Sequence, residues 1–248
     1  MDSDGHPPLI SIIIPTLNEE KLITRTLSQF TPERREKFHI EIIISDGGST
    51  DSTLDLVRTK VGQIIEASKD KKQNIPVGRN AGAYNANGTY LFFIDADTLI
   101  QDPDLLFISA TQAFENSKVF ALTCNFRVYP EQEILSDKLF HNFYNRYVRL
   151  INFLGLGMGR GECQMVRKDI FFKLGGYNES LPAGEDFDLF RRIRKMGKIG
   201  FLSKVTVYES PRRYRRYGYA RVFWDWTKNA ISVLFKHKAV SEEWKAVR

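Results

Sequence analysis

Asp95 and Asp97 stand one residue apart where the apolar, β-favouring run "LFFIDADT" (Leu91 to Thr98) turns polar. An aspartate at a strand end ordinarily satisfies turn amides, and either residue alone suits that role. The pair fits it less well. Residues two apart on an extended chain share a side, and like charges held that close repel. A divalent cation removes the cost most simply, and Mg2+ and Mn2+ favour carboxylate oxygens and often complete their shell with substrate phosphates. The pair therefore reads as a metal and diphosphate site. A DxD triplet occurs often by chance, so the surrounding segments have to decide.

A second acidic pair, Glu185 and Asp186, opens "AGEDFDLFRRIRKMG". Acids crowd the first turn of this helical pattern, bases crowd its last, and Gly197 ends it. Dipole complementarity explains the acids without any chemistry.

The elements that must position these residues alternate. "LISIII" (Leu9 to Ile14) and "IEIIIS" (Ile40 to Ser45) read as buried strands, "GQIIEA" as a short third strand and "TYLFFID" as a fourth. Helical spacing lies between them in "KLITRTLSQF", from about Thr53, and in "GRNAGAYNANG", whose small residues allow close packing on a sheet. Further on come a helix ("PDLLFISATQAFEN"), a strand ("KVFALTCNFRVY") and an aromatic-rich helix over about 133–154. "GECQMVRKDIFFKLGGYNE" follows as strand, short helix and glycine turn. Continuous apolar strands separated by helices predict an α/β fold with a mostly parallel central sheet and helices on both faces. Ligands bind beyond the carboxyl ends of such strands, which puts "PTLNEE", "SDGGSTD" and "DADT" on one rim.

Other chemistries are excluded by spacing and composition. In "GLGMGRG" (Gly155 to Gly161) Arg160 takes the place of the third glycine of GxGxxG, and the segment does not open the first βα unit. There is no GxxxxGK[ST]. Cys124 and Cys163 are too few for a disulfide scaffold or zinc cluster and read as buried apolar residues. A net charge of +6 over 248 residues suits an anionic partner. "MDSDGHPP" lacks the apolar core of a signal peptide, and no apolar run approaches a membrane span.

Taken together, "SIIIPTLNEE", "IIISDGGSTDST", "GRNAGAYNANGTYLFFIDADT" and "GGYNESLPAGEDFDLFRRI" resemble the family 2 inverting glycosyltransferases of the GT-A (Rossmann-like) fold, over about Leu9 to Tyr208. The resemblance implies that Pro15, Leu17 and Glu19 hold the donor nucleoside and that Asp46 reads the base or ribose. Where the family often carries a second acid, Gly47 stands here. Arg79 is expected on the donor side. Asp95 and Ala96 are expected against the nucleotide-sugar, and Asp97, with Asp95, on the Mg2+ or Mn2+ that bridges the diphosphate. Asp186 matches the general base, with Glu185 orienting the acceptor. If the acceptor is itself a phosphate, a base is scarcely needed and Asp186 positions groups instead. "GGYNE" matches the turn shaping the sugar and acceptor pocket.

The expected domains are a catalytic unit over 1–209 and a basic, aromatic segment over 210–248. In "SPRRYRRYG", Arg212, Arg213, Arg215 and Arg216 can form a solvated loop, clamp a donor or acceptor-lipid phosphate, or bind nucleic acid with the tyrosines. "YARVFWDWTKNAISVLFKHK" then places large aromatics among lysines, as amphipathic segments at anionic membranes do, although packing on the protein's own core would use the same residues. The expectation is a metal-dependent inverting transferase. It takes a nucleotide-diphosphate sugar (GDP-mannose or a UDP-sugar) and acts on a polyprenyl-linked or phospholipid acceptor. It sits peripherally at the cytoplasmic face of an anionic membrane, without nucleic acid, and its natural chain can run past Arg248 into transmembrane helices. The rivals are a soluble polysaccharide-elongating transferase and a nucleotide-sugar or nucleic-acid binder without turnover.

Overall fold

A computed structural model describes residues 9–67 and 74–236. The terminal readings, including "MDSDGHPP" and Lys238, lie outside these residues.

Eight strands form one sheet in the order β3-β2-β1-β4-β7-β6-β8-β5. Its first part is parallel: β1 (Ile10–Thr16) lies between β2 (Ile40–Asp46) and β4 (Tyr90–Ile94), and β3 (Gln63–Glu66) extends β2. The second part is mixed. β7 (Cys163–Arg167) runs antiparallel to β4 and to β6 (Val119–Val128). β8 (Lys198–Glu209) is parallel to β6, and β5 (Leu99–Ile100) is antiparallel to β8. β5 has only two residues, and β8 is no continuous apolar run: it is exposed or part-buried over 198–204 and alternates buried and part-buried residues only over 205–209.

The strands are apolar on both faces because both are covered. Ile10, Ile12 and Ile14 of β1 and Phe92 and Ile94 of β4 pack on one side with α1 (Ile23–Leu27), α3 (Thr53–Val57) and α5 (Pro103–Glu115). Ile13, Leu91 and Phe93 pack on the other with α4 (Ile75–Tyr84), α7 (Lys168–Lys173) and α8 (Glu185–Arg194). A short α2 (Pro32–Lys37), whose polar sequence hides it, is capped by the Thr31 side chain. The small residues of α4 have the expected use: a Cβ on Gly82 would stand 2.4 Å from Ile13 Cγ2, so only glycine lets the helix lie this close to β1.

α6 (Leu135–Phe153) docks through Asn145, whose amide exchanges two 3.0 Å hydrogen bonds with the backbone of Phe126 beyond the last residue β7 pairs. Against it lie α9 (Arg212–Tyr217) and α10 (Tyr219–Lys236). Val128 of β6, Tyr214 and Val222 share one core cluster, so the segment from 210 to 236 packs into the sheet unit. The rings of Phe223 and Trp226 meet Tyr144 of α6, at 6.2 and 5.3 Å. Much of the aromatic content of α10 is therefore turned inward, and the larger exposed apolar stripe belongs to α6.

Phe92 is fully buried and Phe153 is 86% exposed. Phe92→Ala should lower the free energy of urea unfolding by about 3–5 kcal/mol, while Phe153→Ser should change it by less than about 0.5 kcal/mol.

Candidate active site

Three loops beyond the carboxyl ends of β1, β2 and β4 meet on one rim, as the strand pattern predicts. The first two are laced together. Asn18 Oδ1 accepts from the Thr50 N–H (2.7 Å), the Asn18 N–H donates to Ser49 Oγ (2.8 Å), and the Glu19 N–H donates to Thr53 Oγ1 (2.8 Å). Pro15 closes β1 with its side chain part-buried, and Leu17 is 39% exposed on the open side. Asp46 is 2% exposed. Its Oδ1 accepts from Thr16 Oγ1 and Ser49 Oγ, and its Oδ2 from the Gly48 and Ser49 N–H groups. All its acceptor sites are used within the loop, so a nucleoside reaches Asp46 only by displacing one of these donors.

At β4 the strand stops at Ile94, and "DADT" is a turn closed by Thr98 N–H to Asp95 O (3.1 Å). The extended-chain argument for a shared side therefore does not apply. The turn sends Asp95 to one cation and Asp97 to another. Ala96 lies buried between them, its carbonyl accepting from Thr26 Oγ1 (2.6 Å), so it supports the turn from beneath.

Asp95 Oδ1 accepts from Arg79 Nη2 (2.8 Å), which also donates to Gly161 O (2.8 Å). Arg79 Nη1 donates to Glu185 Oε1 (3.0 Å) at the start of α8. The Arg79 side chain is 1% exposed. It is a buried bridge between acidic clusters, not a base presented to a donor. Burial works against its charge, but Asp95 and Glu185 more than restore it and hold it protonated. Gly184, at φ +79, turns the chain into α8 in the left-handed region that favours glycine. Asp186 lies beside this bridge: a Cβ on Gly161 would come within 3.1 Å of Arg79 Nη2 and 3.7 Å of Asp186 Oδ2. Asp186 Oδ1 accepts from the Phe187 N–H (2.8 Å). Burial raises the Asp186 carboxyl above its ordinary value, and burial with the neighbouring Asp186 charge raises Glu185. Glu185, expected to orient the acceptor, holds Arg79 through Oε1.

Asp97 Oδ2 accepts from Arg212 Nη2 (2.9 Å), and the same nitrogen is 3.3 Å from Glu19 Oε1. Burial pushes the Asp97 carboxyl up to about 7; Arg212 opposes the shift, and Asp95 and Glu19 add to it. The four arginines of the tail separate. Arg212 is at the DxD turn, and the charge of Arg213 acts on Glu162, Glu209 and Asp97. Arg215 instead pairs with buried Asp137 on α6 (2.5 Å), and Arg216 is exposed against the Tyr217 ring. Arg215 and Arg216 therefore do not reach the site, because α9 aims them at α6 and at solvent.

Residues that pattern reading missed complete the wall. Arg160, 3% exposed, binds Glu162 (2.6 Å) and Glu209 (2.7 Å) and faces the rings of Phe126, Tyr144 and Trp226. Glu209 also meets His141 Nε2 (2.8 Å) and the Tyr214 hydroxyl (2.9 Å), while His141 Nδ1 faces the Asp137 carbonyl. The Asp95 N–H donates to Glu162 O (3.2 Å), and the Tyr129 hydroxyl donates to Asp97 O. Among these, only the arginine in "GLGMGRG" left a trace in the sequence, as a mismatch to a nucleotide loop.

A divalent cation fits the acids at the DxD turn. The donors are all carboxylate oxygens, and Asp97 is short of compensating charge even with Arg212 beside it. Among the described residues no three His, Cys, Asp or Glu side chains converge. Two carboxylates make the kind of site that phosphate and water complete.

Burial alone would raise Glu209, but Arg160 and His141 hold it well below the usual glutamate range. Its stabilising contribution is present above the unfolded-state pKa and lost as pH falls below about 4.5. Glu209→Gln should cost about 3–5 kcal/mol in urea unfolding at pH 7 by leaving Arg160 under-compensated. The gap between parent and variant should narrow as the titration is taken down from pH 5.

The chain is 34% identical over 102 residues to the PGL/p-HBAD biosynthesis glycosyltransferase of Mycobacterium bovis, covering 40% of this chain and 39% of that one. It is 34% identical over 98 residues to validoxylamine A glucosyltransferase of Streptomyces hygroscopicus subsp. limoneus, 38% and 22% of the two chains. It is 38% identical over 91 residues to the dolichyl N-acetyl-alpha-D-glucosaminyl phosphate 3-beta-D-2,3-diacetamido-2,3-dideoxy-beta-D-glucuronosyltransferase of Methanococcus voltae, 35% and 28%. Each match spans well under half of the relative's own length. In structure the fold is that of the mannosyltransferase PcManGT from Pyrobaculum calidifontis, solved with GDP-Man and Mn2+, at TM-score 0.66 and 21% identity over 89% of this chain and 66% of that one. It is also that of glucosyl-3-phosphoglycerate synthase from Mycobacterium tuberculosis, at TM-score 0.59 and 15% identity over 92% and 78%. A model of the glycosyl transferase family 2 matches residues 11–175, more than half of the sequence, and the chain belongs to that family.

Proposed function

We propose that this protein is a metal-dependent, inverting glycosyltransferase that moves a sugar from a nucleotide-diphosphate donor to a lipid-linked, polyprenyl-type acceptor at a membrane surface. The observation that carries the reading is the Arg79 bridge. It ties Asp95 of the DxD turn to Glu185 at the start of α8, through contacts of 2.8 and 3.0 Å, and so brings the two acidic pairs together. Family membership and relatives that take GDP- or UDP-linked sugars or a dolichyl-linked acceptor support it.

The donor nucleoside lies along Pro15, Leu17 and the loop that Asp46 organises, and the diphosphate comes against the DxD turn. Asp97, with Asp95, holds the divalent cation. When bound, the cation neutralises charge on the diphosphate as the sugar leaves. Arg212, now on Asp97 and Glu19, is placed to turn to the phosphates, with Arg213 beside it.

Across the cleft Asp186 accepts the proton of the acceptor hydroxyl as its oxygen attacks the anomeric carbon from the face opposite the leaving group, which inverts the configuration. A carboxyl raised by burial is a stronger base than one in water, which suits the task near neutral pH. Glu185 and Arg79 fix the base by fixing the start of α8. Among the described residues no helix is long and apolar enough to cross a membrane, so within them the acceptor is met from the surface.

A thermal-shift screen of nucleotide-sugars with Mn2+ or Mg2+ tests the donor half. The cognate donor at about 100 times its dissociation constant should stabilise the protein by roughly 2.7 kcal/mol, and Asp97→Ala should abolish the metal-dependent part. With that donor and a detergent-solubilised polyprenyl acceptor, Asp186→Asn should keep donor binding and lose about 100-fold or more in turnover. Undiminished turnover would remove Asp186 as the base and point to an acceptor that is already ionised, such as a phosphate.

A further inference from the structure

The exposed large apolar residues are not scattered. They gather on α6 and the turn after it, where Leu135, Leu139, Phe143, Leu150, Phe153 and Leu154 are between 53% and 86% exposed. At about 100° per residue these positions fall within roughly a third of the helix circumference. The opposite face, with Tyr144, Asn145 and Val148, is the one docked on the sheet unit.

The charge on the same surface has one sign. Lys138 and Arg146 are exposed, Arg149 turns its guanidinium to Asn125 Oδ1 (2.8 Å) and the Phe201 ring, and no exposed acid occurs between residues 134 and 156. The single acid of α6, Asp137, is fully buried against Arg215. A patch this size on a soluble surface marks a binding face. A stripe of leucine and phenylalanine bordered only by cations is complementary to a surface that is apolar within and anionic at its boundary. A protein groove would have to supply anions along the whole helix.

From Phe153 the chain turns through Gly155, beside Arg194 at the last turn of α8, and follows that helix to Gly161, whose carbonyl accepts from Arg79 and where a Cβ would stand 3.7 Å from Asp186 Oδ2. The C-terminal end of α6 is therefore held at the end of α8 opposite Asp186, and the glycine-rich segment connects the two.

We infer that α6, and not the C-terminal helix, is the element by which this protein lies on an anionic lipid bilayer, its Leu135-to-Leu154 stripe set into the interface and Lys138 and Arg146 on the headgroups. The inference rests on the lipid-linked acceptor reading: such a posture holds the protein at the surface in which that acceptor stands. α10 contributes at its edge, because Phe223 and Trp226 are committed to packing on α6 and leave Trp224 and Ile231 exposed.

Flotation with vesicles of phosphatidylcholine alone, and of phosphatidylcholine with phosphatidylserine, tests it without reference to the acceptor. The parent should float with the anionic vesicles only. Leu139→Glu/Phe153→Glu should lose about tenfold or more of that partitioning, with an unchanged thermal midpoint, while Trp224→Glu/Ile231→Glu should lose less. The α6 variant should keep transfer to a polyprenyl acceptor in detergent and lose it when the same acceptor is in vesicles. Equal flotation of parent and α6 variant would overturn the surface and leave the acceptor reading intact. So would a parent that floats with neither vesicle and is a dimer made monomeric by the α6 substitutions, which would assign the stripe to a second copy. Flotation as expected, with no transfer in detergent, would sink the acceptor reading and keep the surface.

Discussion

The site depends on one buried guanidinium. Arg79 reaches Asp95 on the turn after β4 and Glu185 at the head of α8, residues that lie 90 apart in the chain. Without a cation between them, two acidic clusters could not stand this close in a part-buried cleft, since their mutual repulsion and desolvation add. The arginine is itself held by packing. α4 carries it, and α4 can lie against β1 only because Gly82 has no side chain. A small residue facing Ile13 thus determines where the two halves of the cleft meet. Lysine would not serve equally, because a single ammonium cannot fork to two carboxylates in fixed directions.

Arg160 repeats the arrangement on the outer wall. It joins Glu162, next to the DxD turn, to Glu209, at the end of β8, and aromatic rings close around it. In each arginine one nitrogen, Nε of Arg79 and Nη1 of Arg160, is buried without a hydrogen-bond partner. An unpaired buried donor is costly, and the ring faces of Tyr177, Phe126, Tyr144 and Trp226 offset part of that by cation–π attraction. Both bridges keep carboxylates in place that would otherwise take up protons or move apart.

The parallel half of the sheet and its rim were legible in the sequence, because strands buried on both faces must be apolar throughout, and "LISIII", "IEIIIS" and "TYLFFID" are. Asp95, Asp97, Glu185 and Asp186 were legible as acids at the ends of such elements. Their partners were not. β8 is not a continuous apolar run, its alternation being confined to 205–209, yet it carries Glu209 to the site. Arg160, Glu162 and His141 acquire meaning only through contacts made across 49 and 68 residues of chain with Glu209. The local geometry of "DADT" was misjudged for a related reason: periodicity describes an extended strand, and the hydrogen bond from Thr98 to Asp95 that ends it is a feature of the turn.

The same long-range pairing changes the standing of the C-terminal segment. By composition, residues from 210 onward look like a basic, aromatic attachment to a finished domain. In the fold, β8 runs parallel beside β6 and delivers α9 to the DxD turn, where Arg212 meets Asp97 from 115 residues away. Tyr214 shares a core with Val128, and α10 packs Phe223 and Trp226 on Tyr144 of α6. Removing that segment would uncover Arg160 and Glu209 and take away the cation at Asp97, so the cleft would lose a wall before anything was lost from a membrane. Basic and aromatic residues that suggest a surface by their composition are here divided by a short helix. Arg212 meets Asp97 and Arg215, itself exposed, meets Asp137 of α6, while the lipid-facing role we infer passes to that helix.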